Sequence, residues 1–144
     1  MRATLPPMDR CMTVLIVEDE DDIRKLEEHW LSMLGLSTLA ACDGHQAVEL
    51  AHAQCPDLIL LDLRIPGLTG QEVMQVLKAD PTTVNIPVIV VSAFNDSNTV
   101  KELYGLGAVH FLKKPFDLQD LAGCVRGTLG LVGSATSVEK RTES

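Results

Sequence analysis

The sequence predicts an α/β domain: five parallel strands in one sheet, order 2-1-3-4-5, doubly wound with helices on both faces. Three observations carry this. Five short aliphatic runs recur along the chain, the clearest being Leu58-Ile59-Leu60-Leu61 between Pro56 and Pro66-Gly67. Such runs read as strands buried on both faces, as parallel sheets require. Between them lie segments with apolar residues at helical spacing, and strict strand–helix alternation implies right-handed crossovers in a parallel sheet. Four of the runs also end in polar residues, at the sheet edge where open α/β folds gather their ligands.

In chain order, residues 1–12 read as an irregular extension, since Pro6-Pro7 keeps a helix from starting there. Thr13 to Val17 is the first strand. It runs into five acids, Glu18 to Asp22, and a helix from Asp22 follows, with Ile23, Leu26, Trp30, Leu31 and Leu34 on its apolar face and Gly35 as its stop. Leu36 to Ala41 is a weaker strand. Asp43-Gly44 opens a short helix with Ala47, Val48 and Ala51 inward. After the Leu58–Asp62 strand, Pro66-Gly67 and Gly70 mark a loop, and the next helix buries Val73, Val76 and Leu77 before Asp80-Pro81 ends it. Pro87 starts a strand that ends at Ser92. A helix with Val100, Leu103 and Tyr104 inward then closes at Gly105 and Gly107. Ala108 to Leu112 is the fifth strand, followed by Lys113-Lys114-Pro115. Asp117 caps a last helix with the stripe Leu118, Leu121, Val125 and Leu129. Residues 131–144 are small and polar and read as a disordered tail, leaving 13–130 as the folded domain.

Composition excludes several function classes. A formal net charge of -8 is the wrong sign for a nucleic-acid footprint. No run of about 18 apolar residues suggests a membrane span, and Met1 to Pro7 lacks a signal-peptide core. A cytoplasmic location is the expectation. Cys11, Cys42, Cys55 and Cys124 are scattered, without C-x-x-C spacing, and are expected to be small buried thiols in a reducing cytosol. His110 sits in an apolar run and reads as a strand residue, not a base.

The chemistry lies at the strand ends. Parallel strands bring Glu18-Asp19, Asp62, Ser92 and Lys114 to one edge, and in the expected order their four strands are adjacent. Three carboxylates in one cleft repel one another unless a cation joins them. Oxygen ligands beside water and a phosphoryl group are what Mg²⁺ accepts. In this arrangement Asp62 would be a nucleophile forming an aspartyl phosphate, Ser92 a hydrogen-bond donor to a phosphoryl oxygen, and Lys114 its point charge. Each residue alone has a blander reading: Glu18-Asp19 as helix-dipole complements like Glu20 to Asp22, Asp62 as a turn cap, Ser92 as a turn residue, Lys114 as a solvated charge. The conjunction favours the site.

These motifs resemble the receiver domain of bacterial two-component response regulators. Val14 to Glu20 is similar to its first strand and acidic pair, and Asp57 to Leu63 with Pro66, Gly67 and Gly70 to its phosphoacceptor segment. Ser92-Ala93 matches its switch hydroxyl and small neighbour, and Lys114-Pro115-Phe116 its lysine-proline motif. The resemblance implies a flavodoxin-like fold and a phosphorelay switch, not an enzyme acting on a separate substrate. Asp62 would accept a phosphoryl group from a histidine kinase or a histidine phosphotransfer protein. Asp19, Asp62 and the Arg64 backbone carbonyl would hold Mg²⁺, with Glu18 acting through water. Ser92 and the aromatic Phe111 would couple activation to an unnamed protein output partner through helix four, strand five and helix five. The Lys114–Pro115 bond is expected to be cis, and Ala93 leaves the phosphoryl position accessible. Three departures stand out. Phe111 stands where members often carry a tyrosine, so a signal needing that hydroxyl is not expected. Val109 and His110 replace acids that bridge dimers in DNA-binding members, so a monomer or weak dimer is expected. Arg64 stands where members tune phosphate lifetime. Only 14 residues follow position 130, too few for a DNA-binding module, so the chain acts alone or is a piece of a larger regulator. A Mg²⁺-dependent aspartyl phosphatase is disfavoured because Arg64 replaces its second acid. A nucleotide-binding module is disfavoured because no G-x-G-x-x-G or G-K-[ST] follows the first strand.

Overall fold

The computed structural model describes residues 11–93 and 97–130. Five strands alternate with five helices: β1 Thr13–Val17, α1 Asp21–Met33, β2 Ser37–Ala41, α2 Gly44–Gln54, β3 Leu58–Asp62, α3 Gly70–Ala79, β4 Val88–Ser92, α4 Ser97–Gly105, β5 His110–Lys113 and α5 Leu118–Leu129. All pairings are parallel and the strand order is β2-β1-β3-β4-β5, as expected. The fifth strand is displaced toward the carboxyl side of the expected Ala108–Leu112. Apart from Cys11 and Met12, which carry no regular structure, the expected extension and the polar tail lie outside the described residues.

Aliphatic alternation explains why both faces of the sheet are covered. Successive strand residues point to opposite faces, so β1 and β3 each feed two cores. Leu15, Val17, Ile59 and Leu61 pack with residues of α2, α3 and α4, among them Ala51, Met74 and Leu103. Val14, Ile16, Leu58 and Leu60 pack with Leu31 of α1 and Leu121 and Val125 of α5. Each large side chain withdrawn from water in this way contributes about 1.5–3 kcal/mol before entropy is counted.

Local chemistry fixes the helix ends. Thr69 and Asp117 each form a capping box, with Glu72 and Asp120 as the returning acids. Asp43 caps α2 by accepting from the Gln46 amide. Asp21 and Asp22 lie in the first turn of α1, where they complement the helix dipole.

Three apolar assignments need correction. Leu26, Val76 and Tyr104 are exposed, not inward. In each helix the buried stripe runs through a neighbour about 100° around the axis: Glu27 and Leu31 in α1, Val73, Met74 and Leu77 in α3, Leu103 in α4. The cysteines are a fourth correction. Cys11, Cys42 and Cys55 are exposed and Cys124 is half-buried, because the first three fall at element junctions; Cys55 ends α2 in the left-handed region. His110 does lie in a strand, on β5, and is exposed.

Candidate functional site

Register brings the strand-end residues together. Val17 pairs with Leu61, so Glu18, one step beyond, lies level with Asp62. Asp62 pairs with Val91, one residue before Ser92, and Ser92 pairs with Lys113, one residue before Lys114. Alternation then sorts the side chains. Glu18, Asp62 and Lys114 continue the phase of Ile16, Leu60 and Leu112, which face α1 and α5. Ser92 continues the phase of Val90, on the α2–α4 side.

The hydrogen bonds agree with that sorting. Lys114 Nζ donates to Asp62 Oδ2 at 2.7 Å and to Glu18 Oε1 at 3.0 Å, joining residues from three strand ends. The other Asp62 oxygen, Oδ1, accepts from the Arg64 amide at 2.8 Å, and Glu18 Oε2 accepts from the Glu20 amide at 3.2 Å. Glu18 is 1% exposed, Asp62 5% and Ser92 1%, whereas Asp19 is open to solvent. The Lys114–Pro115 peptide is cis. Backbone bonds fix the edge further: the Lys114 amide donates to the Ser92 carbonyl at 2.9 Å and the Leu63 amide to the Val91 carbonyl at 3.2 Å.

The loop after β3 is held down by close packing. A Cβ on Gly70 would stand 2.4 Å from Leu63 Cδ2, so only glycine admits this contact between the start of α3 and the end of β3. Gly67 adopts φ +80°, a left-handed turn, next to Pro66, whose carbonyl accepts from the Gly44 amide at 3.1 Å. Arg64 is thereby fixed at the rim, exposed and two residues beyond Asp62.

Electrostatically the cleft is short of positive charge. One oxygen each from Glu18, Asp19 and Asp62 lie within 4.8 Å of one another, with Lys114 as the cation among them. Burial, then the neighbouring Asp62 carboxylate, raises the Glu18 pKa to about 7, with Lys114 opposing the shift. Burial alone would lower the Lys114 pKa, but its bonds to Asp62 and Glu18 outweigh this and raise it. An all-oxygen donor set with surplus negative charge suits a hard divalent cation.

The structure thus brings Glu18, Asp62 and Lys114 into direct contact, with Asp19 beside them. Ser92 is buried at the same edge, and Phe111 is half-buried on β5 against the α2–α4 core. One residue escaped sequence reasoning. Glu27 is 3% exposed on α1, and burial, then the Glu18 charge, lifts its pKa to about 8. Its signal was the four-residue spacing Ile23, Glu27, Leu31, which places an acid in the buried stripe.

A doubly wound sheet with an acidic pocket and an internal lysine at its carboxyl edge defines a class of phosphoryl-accepting signalling domains. The chain belongs to the response regulator receiver domain family, whose model matches residues 14–126. It is 35% identical over 118 residues to sporulation initiation phosphotransferase F of Bacillus subtilis, covering 82% of this chain and 94% of that protein. Against the phosphate regulon transcriptional regulatory protein of Pseudomonas aeruginosa it is 35% identical over 125 residues, 87% of this chain and 55% of that protein. The chain spans about half the length of several such curated relatives. Among solved structures, the receiver domain of a Pseudomonas aeruginosa sensor histidine kinase superposes with a TM-score of 0.78 at 28% identity, covering 83% of this chain and 98% of that one; it carries magnesium in its active-site cleft. A chemotaxis response regulator of Vibrio cholerae gives a TM-score of 0.78 at 26% identity, with coverage of 83% and 99%. Receiver domains interact with histidine kinases or phosphotransfer proteins. No helix among the described residues is long and apolar enough to cross a membrane.

Proposed function

We propose that Asp62 is the phosphoacceptor of this receiver domain and that residues 13–130 form the switch unit. The observation that carries the proposal is the buried Asp62 carboxylate, bonded to Lys114 at 2.7 Å with Glu18 and Asp19 beside it. A carboxylate oxygen of Asp62 attacks the phosphorus of a phosphohistidine on a kinase or phosphotransfer partner. The new P–O bond forms as the P–N bond breaks, and its electron pair leaves on the imidazole nitrogen. Lys114 transfers its hydrogen bond from Asp62 to an incoming phosphoryl oxygen. Mg²⁺, held by Asp19, Asp62 and the Arg64 carbonyl, with Glu18 through water, would neutralise charge on the phosphoryl oxygens.

Once phosphorylated, Asp62 presents the new charge one strand away from Ser92, whose hydroxyl moves toward the phosphoryl group. Phe111 on β5 follows, altering the face formed with α4 and α5 that meets a protein output partner. The domain performs self-directed phosphoryl acceptance and slow hydrolysis, with no second substrate, and acts in the cytoplasm as a monomer or weak dimer. Arg64, at the rim, sets the lifetime by contacting the phosphoryl group: Arg64→Ala changes the dephosphorylation rate, and a rate equal to the parent's removes Arg64 from the mechanism.

Incubation with acetyl phosphate and Mg²⁺, followed by intact mass, tests the proposal. The parent gains one phosphoryl mass and Asp62→Ala gains none. An equal gain in both proteins refutes it.

A further inference from the structure

Beside the acidic cleft, α1 and the segment after β5 enclose a groove of about 340 Å³. Its walls are apolar: Ile23, Leu26 and Trp30 from α1, Pro115 and Phe116 from the opposite side. Its one acid is Glu27. At 3% exposure that carboxylate is withdrawn from water, yet among the described residues no hydrogen bond or ion pair reaches it. Lys114, which also lines the groove, is committed to Asp62 and Glu18. A buried carboxylate without a partner is costly, and an aliphatic residue would complete the stripe between Ile23 and Leu31 without that cost.

We propose that this groove is a binding site for a small organic cation, an ammonium or guanidinium on a short apolar body, with Glu27 as its counter-ion. The volume lies in the range of small-ligand pockets, which pair apolar walls with a few placed polar groups. Trp30 and Phe116, in contact with ring centroids 6.1 Å apart and tilted by 60°, both line the groove and give its apolar wall the aromatic component that attracts cations. The raised proton affinity of Glu27 follows from the same burial, and a cation bound there replaces the proton. Leu26, exposed without a packing partner in the core, closes the outer wall. The proposal rests on Glu27 and not on Asp62, although the groove adjoins the acidic cleft through Lys114, which lines one and bonds to the carboxylates of the other.

Two probes of one shape decide the matter: 2-phenylethylammonium and neutral 2-phenylethanol, titrated into the full chain and followed by amide and indole NMR shifts at a pH where Glu27 is ionised. The ammonium is expected to shift Ile23, Trp30 and Phe116 and to bind at least about tenfold more tightly than the alcohol, as a charge-assisted contact provides. Glu27→Gln and Glu27→Leu, checked for fold by circular dichroism, should each erase that preference while the parent-like binding of the alcohol persists. Equal affinity for the two probes, shifts confined to other surfaces, or no shift at all overturns the proposal on the parent protein alone. Acetyl-phosphate labelling of the same samples reports separately on Asp62.

Discussion

At the scale of single residues, the site is a problem of charge held out of water. Lys114 is the cation that makes the buried Glu18 and Asp62 tolerable together. Removing one member of such a group leaves the others uncompensated, so Lys114→Met should cost about 3 kcal/mol by urea unfolding in the absence of divalent metal. Added Mg²⁺ should restore part of that loss; an unchanged midpoint in Lys114→Met would show that the carboxylates are not held by it. Glu27 makes a prediction of opposite sign. Its folded pKa, raised from 4.5 to about 8 by burial and the Glu18 charge, means the folded state holds an extra proton between those values. Its contribution is therefore fully present below about 4.5 and lost as pH rises through about 8. Glu27→Leu should flatten that part of the stability–pH curve and gain about 1–3 kcal/mol near pH 8; a curve parallel to the parent's would place the acid in water. The meeting of Glu18, Asp62 and Lys114 was legible from sequence because each follows or ends an aliphatic run. Glu27 was not, because hydrophobic periodicity passes over an acid even where the spacing from Ile23 and to Leu31 demands a buried residue.

At the scale of elements, the site depends on how the β3–α3 connection is clamped. The capping box at Thr69 starts α3, and Gly70 lets its first turn press on Leu63. Gly70→Ala should destabilise by about 1–3 kcal/mol, since the new Cβ meets Leu63 Cδ2 at 2.4 Å and its Cα at 3.0 Å and the backbone cannot yield freely. Denaturant unfolding at an unchanged m-value measures it, and a substitution without cost would mean that the clamp is slack. Element type and order were readable throughout, since strand runs and helical stripes differ in period. The errors fell at the margins of the stripes: Leu77 and Leu103 are inward as expected but Val76 and Tyr104 beside them are not, and the inward neighbour of Leu26 is the acid Glu27. Leu26, Val76 and Tyr104 each lie one position from a buried neighbour, and the choice is made by the helix's roll against the sheet, which only packing fixes. Cys11, Cys42 and Cys55 were misplaced for a related reason: their small apolar character says inside, but their positions at junctions say outside.

For the molecule as a whole, two cores on opposite faces of one sheet hold four strand ends in register, and that register brings the candidate site residues together. Nothing in the local sequence of β1 or β5 brings Glu18 within 3.0 Å of Lys114, 96 positions away (114 − 18); the 2-1-3-4-5 order does. The order itself followed from short connections and right-handed crossovers, so the meeting of these residues could be expected before any distance was known. What the sequence did not carry was the sorting of Ser92 to the opposite face from Asp62 and Lys114, which depends on strand phase at the edge. The central claim is that phosphoryl transfer ends on Asp62. Borohydride reduction of the acetyl-phosphate-treated protein, followed by peptide mapping, tests it most directly, because an aspartyl phosphate is reduced to homoserine where it stands. Homoserine at position 62, formed only with Mg²⁺ present, is the predicted result; homoserine at position 19, or at none of the acids of the cleft, contradicts it.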